Sequence, residues 1–246
     1  MKTIAKKALI GLFWIGVWQA ASILVGMPKL FPGPGETLTA LVRLAGMAAF
    51  WASVGMTLTR VAEGYLLAVA TGVLLATGCH TVRGLDALLS PLRTVIKATP
   101  VSSFILLVWL WLKRSHVPVF ISFLMVLPII WTGMQEALGS VDGDLKEMTE
   151  MYRFSWLQKV RYLYIPSVRP GLTAACMTGL GFAWKSGIAA EVIALTPDSV
   201  GKHLSDAKNY LEYPDLFAWT VTVIVLSMAL EGVLKALARK RREGKI

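Results

Sequence analysis

Six ionisable residues, Arg60, Glu63, Arg93, Lys97, Lys185 and Glu191, fall within or at the edges of long apolar runs. A charge in hydrocarbon is costly, so such side chains face a bundle interior, water or an opposite charge. The chemistry open to them is electrostatic: they can pair with each other or line a polar pathway. Arg60 and Glu63 stand three apart on one helical face, which suits a local ion pair ahead of contact with a solute. Lys185 and Glu191 stand six apart on different faces, so their expected partners are on other helices. Lys97 precedes Pro100, which would free a backbone carbonyl and kink a helix beside a buried cation. Trp184 adjoins Lys185, where a cation–π contact is open to it, and Arg93 can snorkel to an interface. Arg60, Lys97, Pro100, Trp184, Lys185 and Glu191 are the candidate pathway residues. Other chemistries lack their parts. His80, His116 and His203 are isolated, with no metal-ligand spacing. Cys79 and Cys176 read as small buried hydrophobes. No nucleophile constellation lies on the apolar runs.

The elements that position these residues follow from composition. The 246 residues are 55% hydrophobic and 16% charged, with mean hydropathy +0.61. A soluble domain carries roughly 25% charge, so a soluble enzyme and a disordered chain are both excluded. The length accommodates about six spans of ~20 residues with short loops. Six apolar runs are found, at about 8–27, 56–79, 92–112, 117–138, 171–195 and 216–238. The first is longer than the apolar core of a signal peptide and is read as a retained helix. Pro28, Pro32, Gly33, Pro34 and Gly35 break it, and Glu36–Phe50 has the apolar spacing of a short surface helix. Gly179, Gly181 and Gly187 thin the fifth run and would let a neighbour approach closely. The expected fold is all-α and polytopic, a single transmembrane domain over residues 1–246.

The net charge of +10 would suggest nucleic acid in a soluble protein, but its placement points elsewhere. With both termini cytoplasmic, the inner segments hold fifteen Lys and Arg and the outer segments six. That bias fixes the expected orientation. Most tryptophans lie near span ends, as interfacial anchors do.

The polar insertion, residues 140–166, reads SVDGDLKEMTEMYRFSWLQKVRYLYIP. Asp142 or Asp144 can cap a helix that begins near Leu145. A turn is expected at Arg153–Phe154. Ser155 can cap a second short helix, Trp156–Tyr164, which Pro166 would end. Trp156, Leu157, Val160, Leu163 and Ile165 are expected to dock on the protein's own helices, and the turn to offer Met151, Tyr152 and Phe154 to a partner.

This segment resembles the EAA loop of the permease subunits of bacterial ABC importers. That pattern has Glu-Ala-Ala, a Gly six positions after the Glu, and a hydrophobic-Pro pair ending nineteen positions after it. Glu147, Ile165 and Pro166 have the spacing, and Ser155 and Gln158 fall where relatives often carry them. Met148-Thr149 replaces Ala-Ala, and Arg153 stands at the Gly position, where a positive φ would strain it. Leu30-Phe31-Pro32-Gly33-Pro34 is similar to the family's step after the first span. Thr57-Leu58-Thr59-Arg60-Val61 through Gly64 resembles its opening of span two, and Pro91, Pro100 and Trp109 its third-span pattern. Ala183-Trp184-Lys185 through Ala190-Glu191 resembles its span-five signature. The ordered set is similar to the nitrate/sulfonate/taurine branch.

The resemblance implies a type I importer permease with a cytoplasmic coupling helix pair in a bacterial cell membrane. Glu147, Glu150, Met151, Tyr152, Arg153, Phe154, Ser155 and Pro166 become the candidate ATPase-coupling residues. The implied partners are two cytosolic ATPase subunits, a second permease copy, an extracytoplasmic solute-binding protein and membrane lipid. No phosphate loop GxxxxGK[ST] is present, so ATP and Mg are expected in the partner ATPase, with no cofactor or metal on this chain. A small anion is the expected solute. A vitamin precursor such as a thiamine pyrimidine is the alternative, and an ATPase-independent secondary transporter the more distant one.

Overall fold

In the computed structural model the described residues are 2–27 and 30–243, with side chains described for residues 6, 9–27 and 30–236. Pro28, Lys29, and the side chains of the basic tail beyond Ala236 lie outside them. The helices are α1 Lys2–Val25, α2 Pro34–Ala45, α3 Ala48–Thr81, α4 Leu85–Ala98, α5 Val101–Trp109 and α6 Val117–Gly139. After these come α7 Gly143–Met151, α8 Trp156–Lys159, α9 Ile165–Ala194, α10 Val200–Asn209 and α11 Tyr213–Glu243. Regular structure is wholly helical among the described residues, which is the answer apolar segments give when every backbone polar group must be satisfied within its own segment.

The core is the contact of α3, α6 and α9. Val61, Val126, Leu127, Ile130, Trp184 and Ile188 pack there. Small residues permit the approach: a Cβ on Gly64 would lie 2.3 Å from the Val119 carbonyl oxygen. One on Gly187 would lie 2.7 Å from both Val61 and Ser122. Gly181, by contrast, has open space beside it and does not serve this contact. Residues 64 and 72 of α3 meet residues 119 and 130 of α6 respectively, so those helices run parallel. Residues 133 and 126 of α6 meet 175 and 179 of α9, so α9 runs against both. The Tyr65 hydroxyl donates to the Cys176 carbonyl at 3.0 Å and ties α3 to α9. One end of the bundle therefore carries the start of α3 and α6, the end of α9, and α10. The other carries α7 and α8.

Among the described residues three helices are long and apolar enough to cross a bilayer, Ala48–Thr81, Val117–Gly139 and Tyr213–Ala236, or four if the bent pair of α4 and α5 is one span. The apolar part of α1 is shorter, Leu9–Val25. Helix α9 has 30 residues, a sufficient length, but carries Arg169, Lys185 and Glu191. The expected third span, 92–112, is not one kinked helix. It breaks at Thr99–Pro100 into α4 and α5, bent by 101°. Pro100 lacks an N–H and pushes Thr99 to extended backbone (φ −82°, ψ 131°), so the break is complete.

Candidate functional site

The insertion forms a helix–turn–helix. The Asp142 side chain accepts from the Asp144 N–H at 2.9 Å and starts α7. At its end the Phe154 N–H donates to the Thr149 carbonyl and the Arg153 N–H to the Glu150 carbonyl, both at 2.9 Å. This is a Schellman closure, which needs a left-handed residue between its two bonds. Arg153 supplies it with φ 49°. The turn therefore keeps the shape a glycine would give it, at the cost of strain. Arg153→Gly is expected to stabilise the chain by about 1 kcal/mol, seen as a raised thermal midpoint of the purified protein. Ser155 then caps α8, with Gln158 reaching back to the Ser155 N–H at 2.8 Å. Lys159 pairs with Glu150 at 3.6 Å and closes the two helices on each other.

Pro166 does not end the second helix. The chain runs from Trp156 into α9 through a π turn, Val160–Tyr164. The wider turn relieves the clash and lost hydrogen bond that a proline imposes on a regular helix. The expected docking face is also different. Leu163 is buried and Val160 half-buried, whereas Trp156, Leu157 and Ile165 are exposed. At the tip, Met151 is 84% and Tyr152 73% exposed. Phe154 is half-buried and lines a groove of ≈ 380 Å³ with Leu145, Met148, Thr149, Gln158, Tyr162 and Leu163. Glu147 and Glu150 are exposed on α7.

The pathway candidates separate into two groups. Lys97 and Lys185 are exposed; the Lys97 ammonium donates to the Thr132 hydroxyl at 3.0 Å. Pro100 is exposed at the α4–α5 break. Trp184 is buried in the core and its indole N–H donates to the Val223 carbonyl of α11 at 3.2 Å, so it packs helices together rather than facing Lys185. Arg93 bonds Gln135, pairs with Asp86 at 3.5 Å and lies over Trp131.

Arg60 and Glu191 belong together. The local Arg60–Glu63 pair is not formed, and Glu63 is exposed. Arg60 instead stands 3.6 Å from the buried Glu191 carboxylate. Its guanidinium donates to the Pro197 carbonyl at 3.1 Å and the Asp198 carbonyl at 3.2 Å. Glu191 accepts from the Thr57 hydroxyl at 3.0 Å and the Gly201 N–H at 3.1 Å. The Thr57 hydroxyl in turn accepts from the Val200 N–H at 3.0 Å, and Ser199 accepts from the Lys202 N–H at 3.0 Å. The first three amides of α10 are thus satisfied by α3, by α9 and by its own cap, with a carboxylate at the positive end of the helix. Only glycine fits at 201, where a Cβ would fall 2.3 Å from Glu191 Cβ. Sequence reading missed α10 and named Thr57 only within the span-two motif, without its bond to α10. The Pro197-Asp198-Ser199 turn and cap was the available signal.

On α10, His203 stacks on Trp219 with ring centroids 4.7 Å apart, and its Nε2 lies 3.0 Å from the Ser53 hydroxyl. Burial lowers the imidazole pKa from the usual 6.5; Lys202 adds to this, while Asp206 and Asp198 oppose it. The folded segment therefore holds a neutral ring where the unfolded segment would take a proton. Local stability of α10 is expected to be full above about pH 7 and to fall as pH drops through the ordinary histidine range, levelling off below the folded value. Amide exchange of α10, corrected for intrinsic rates, checks this; the fall should vanish in His203→Gln.

A crossed core of long apolar helices, a broken helix and a capped helix–turn–helix at one end make this the fold of a type I importer permease. A solved structure of a bacterial ABC transporter that imports the acidic polysaccharide alginate shares it, with TM-score 0.65 at 14% identity over 97% of this chain and 95% of that one. Residues 68–243 match the profile of the binding-protein-dependent transport system inner membrane component, and the chain belongs to that family. It is 24% identical to the taurine transport system permease protein TauC of Escherichia coli, over 91% of this chain and 83% of the relative. It is 25% identical to the nitrate import permease protein NrtB of Synechococcus elongatus, over 80% and 74%. The protein is a membrane-embedded permease subunit of an ABC importer.

Proposed function

We propose that two copies of this chain form the pathway for a small solute bearing an anionic group, the sulfonate of taurine or nitrate itself, delivered by an extracytoplasmic binding protein. Two cytosolic ATPase subunits, which bind the ATP and Mg, engage the α7–α8 tips. The observation that carries the coupling role is the tip itself: a Schellman turn at Arg153 that leaves Met151 and Tyr152 in solvent with an apolar groove behind them. An exposed apolar tip of this kind favours a protein partner. The end bearing α7 and α8 is then cytoplasmic, in keeping with the excess of Lys and Arg on that side, and α10 lies outside. ATPase closure can drive the bundle between states only if the ATPase pair binds those states unequally.

Anion transport is supported by the division of charges. Glu191 neutralises Arg60 within the chain, whereas Lys97 and Lys185 remain exposed and have no ion pair with an acid among the described residues. The names of the two relatives above favour the same class. The experiment is to purify the chain with its neighbouring ATPase and binding protein and reconstitute it in liposomes. ATP-dependent uptake of taurine or nitrate is expected. Lys185→Met should raise the solute concentration for half-maximal uptake at least about tenfold, the weight of one favourable charge contact. Unchanged uptake by that variant would remove Lys185 from the pathway, and absence of a co-purifying ATPase would remove the coupling role.

A further inference from the structure

The turn from α9 to α10 is strained and clamped at once. Leu195 (φ 50°) and Asp198 (φ 49°) both hold left-handed backbone without being glycine. Such strain persists where the surroundings over-determine it, and it gathers at parts that move or position. The surroundings here are polar. Arg60 of α3 holds the Pro197 and Asp198 carbonyls, Glu191 of α9 holds the Gly201 amide, and Thr57 bridges the two. Thr196 donates from its hydroxyl to the Arg114 carbonyl at 3.0 Å and adds the α5–α6 loop. Apolar packing holds one face of α10, where Val200 is buried with Phe50, Val54 and Trp219 and Leu204 packs beside them, but it leaves the turn itself to the polar contacts. A buried ion pair is a poor device for stability alone, since apolar groups of the same volume serve as well. It does fix one geometry.

We propose that Thr57, Arg60 and Glu191 are positioning residues that make α10 one body with the ends of α3 and α9. Force applied to α10 then moves those helices instead of being absorbed in the turn. Resting on the importer reading, the source of that force is the docked binding protein. The key is the Thr57 hydroxyl, which donates to Glu191 and accepts from Val200 in the same place.

The test compares Thr57→Val, equal in shape without the hydroxyl, with Thr57→Ser, which keeps it, in the full complex with ATPase. Hydrogen exchange should rise at least tenfold for amides 198–204 in Thr57→Val and stay within twofold in α6; Thr57→Ser should match the parent at both. In liposomes, Thr57→Val should lose at least tenfold in maximal binding-protein-driven uptake, with the half-saturating binding-protein concentration within threefold of the parent and Thr57→Ser restoring the rate. A uniform rise in exchange, or none, overturns the proposal, as does an unchanged maximal rate. A raised half-saturation with full maximal rate also overturns it, because α10 would then be a docking surface only. If the parent complex shows no ATP-driven uptake, the importer reading fails by itself and the exchange measurement still decides whether the clamp holds α10.

Discussion

Tyr152→Asp is expected to release the ATPase subunit from the purified complex, whereas Tyr152→Phe is expected to retain it. The reason lies in the tip of the helix–turn–helix. Met151 and Tyr152 project at 84% and 73% exposure, beside the groove that Phe154 lines with Leu145, Met148 and Tyr162. A tyrosine at the centre of a small interface is the residue type that carries a disproportionate share of binding, about 2 kcal/mol or more on truncation. An aspartate adds the desolvation of an unpaired charge to that loss. Together they weaken the contact by at least about a hundredfold, enough for the ATPase to be lost during purification. Phenylalanine keeps the ring and removes only the hydroxyl. Thr149 and the Schellman bonds are backbone-defined and lie behind the tip, so neither substitution should alter the turn. Stoichiometric ATPase on purified Tyr152→Asp would place the contact elsewhere on the loop, with the exposed Trp156 and Leu157 as the next residues to test.

Glu191→Gln is expected to lower the stability of the chain by about 3 kcal/mol, and adding Arg60→Met to restore about 1 kcal/mol of it. Glutamine keeps an oxygen to accept from Thr57 and Gly201, so the caps of α10 survive. What it removes is the charge opposite Arg60, whose side chain is 8% exposed. Breaking a buried pair by removing one partner costs about 3–5 kcal/mol, because the remaining charge stays desolvated. Two backbone carbonyls still solvate the guanidinium here, which sets the lower end of that range. Removing the stranded cation in turn recovers the desolvation cost and leaves the Pro197 and Asp198 carbonyls to water or to each other's neighbours, about 1 kcal/mol each. The measurement is a double-mutant cycle on thermal or denaturant midpoints in one detergent. Additive losses would mean that the two charges do not sense each other.

The local parts of this protein are written in neighbouring residues. Ser155 and Gln158 form a reciprocal cap three residues apart, and Asp142 caps α7 two residues from the amide it binds. Glu147 and Pro166 are spaced along one continuous insertion. Hydrophobic runs of span length, the side bias of Lys and Arg, and the turn at Arg153–Phe154 belong to the same class, because each depends on bonds or periods within a few residues. They carry the membrane class, the helical fold and the outline of the coupling tip.

Only the tertiary structure decided the partners of the isolated charges. Arg60 had an acid three residues away and chose Glu191, 131 positions on, because parallel α3 and α6 and antiparallel α9 bring those faces together through Gly64 and Gly187. The same packing buried Trp184 against α11 rather than beside Lys185, and carried Pro166 through a π turn instead of ending a helix. At Thr99–Pro100 the proline itself breaks the third apolar run, and the structure adds the 101° angle between the two helices. Sequence periodicity states which face of a helix is apolar but not which neighbour will meet it. A charge that must be neutralised in a low-dielectric bundle takes the partner the packing presents, at whatever distance along the chain.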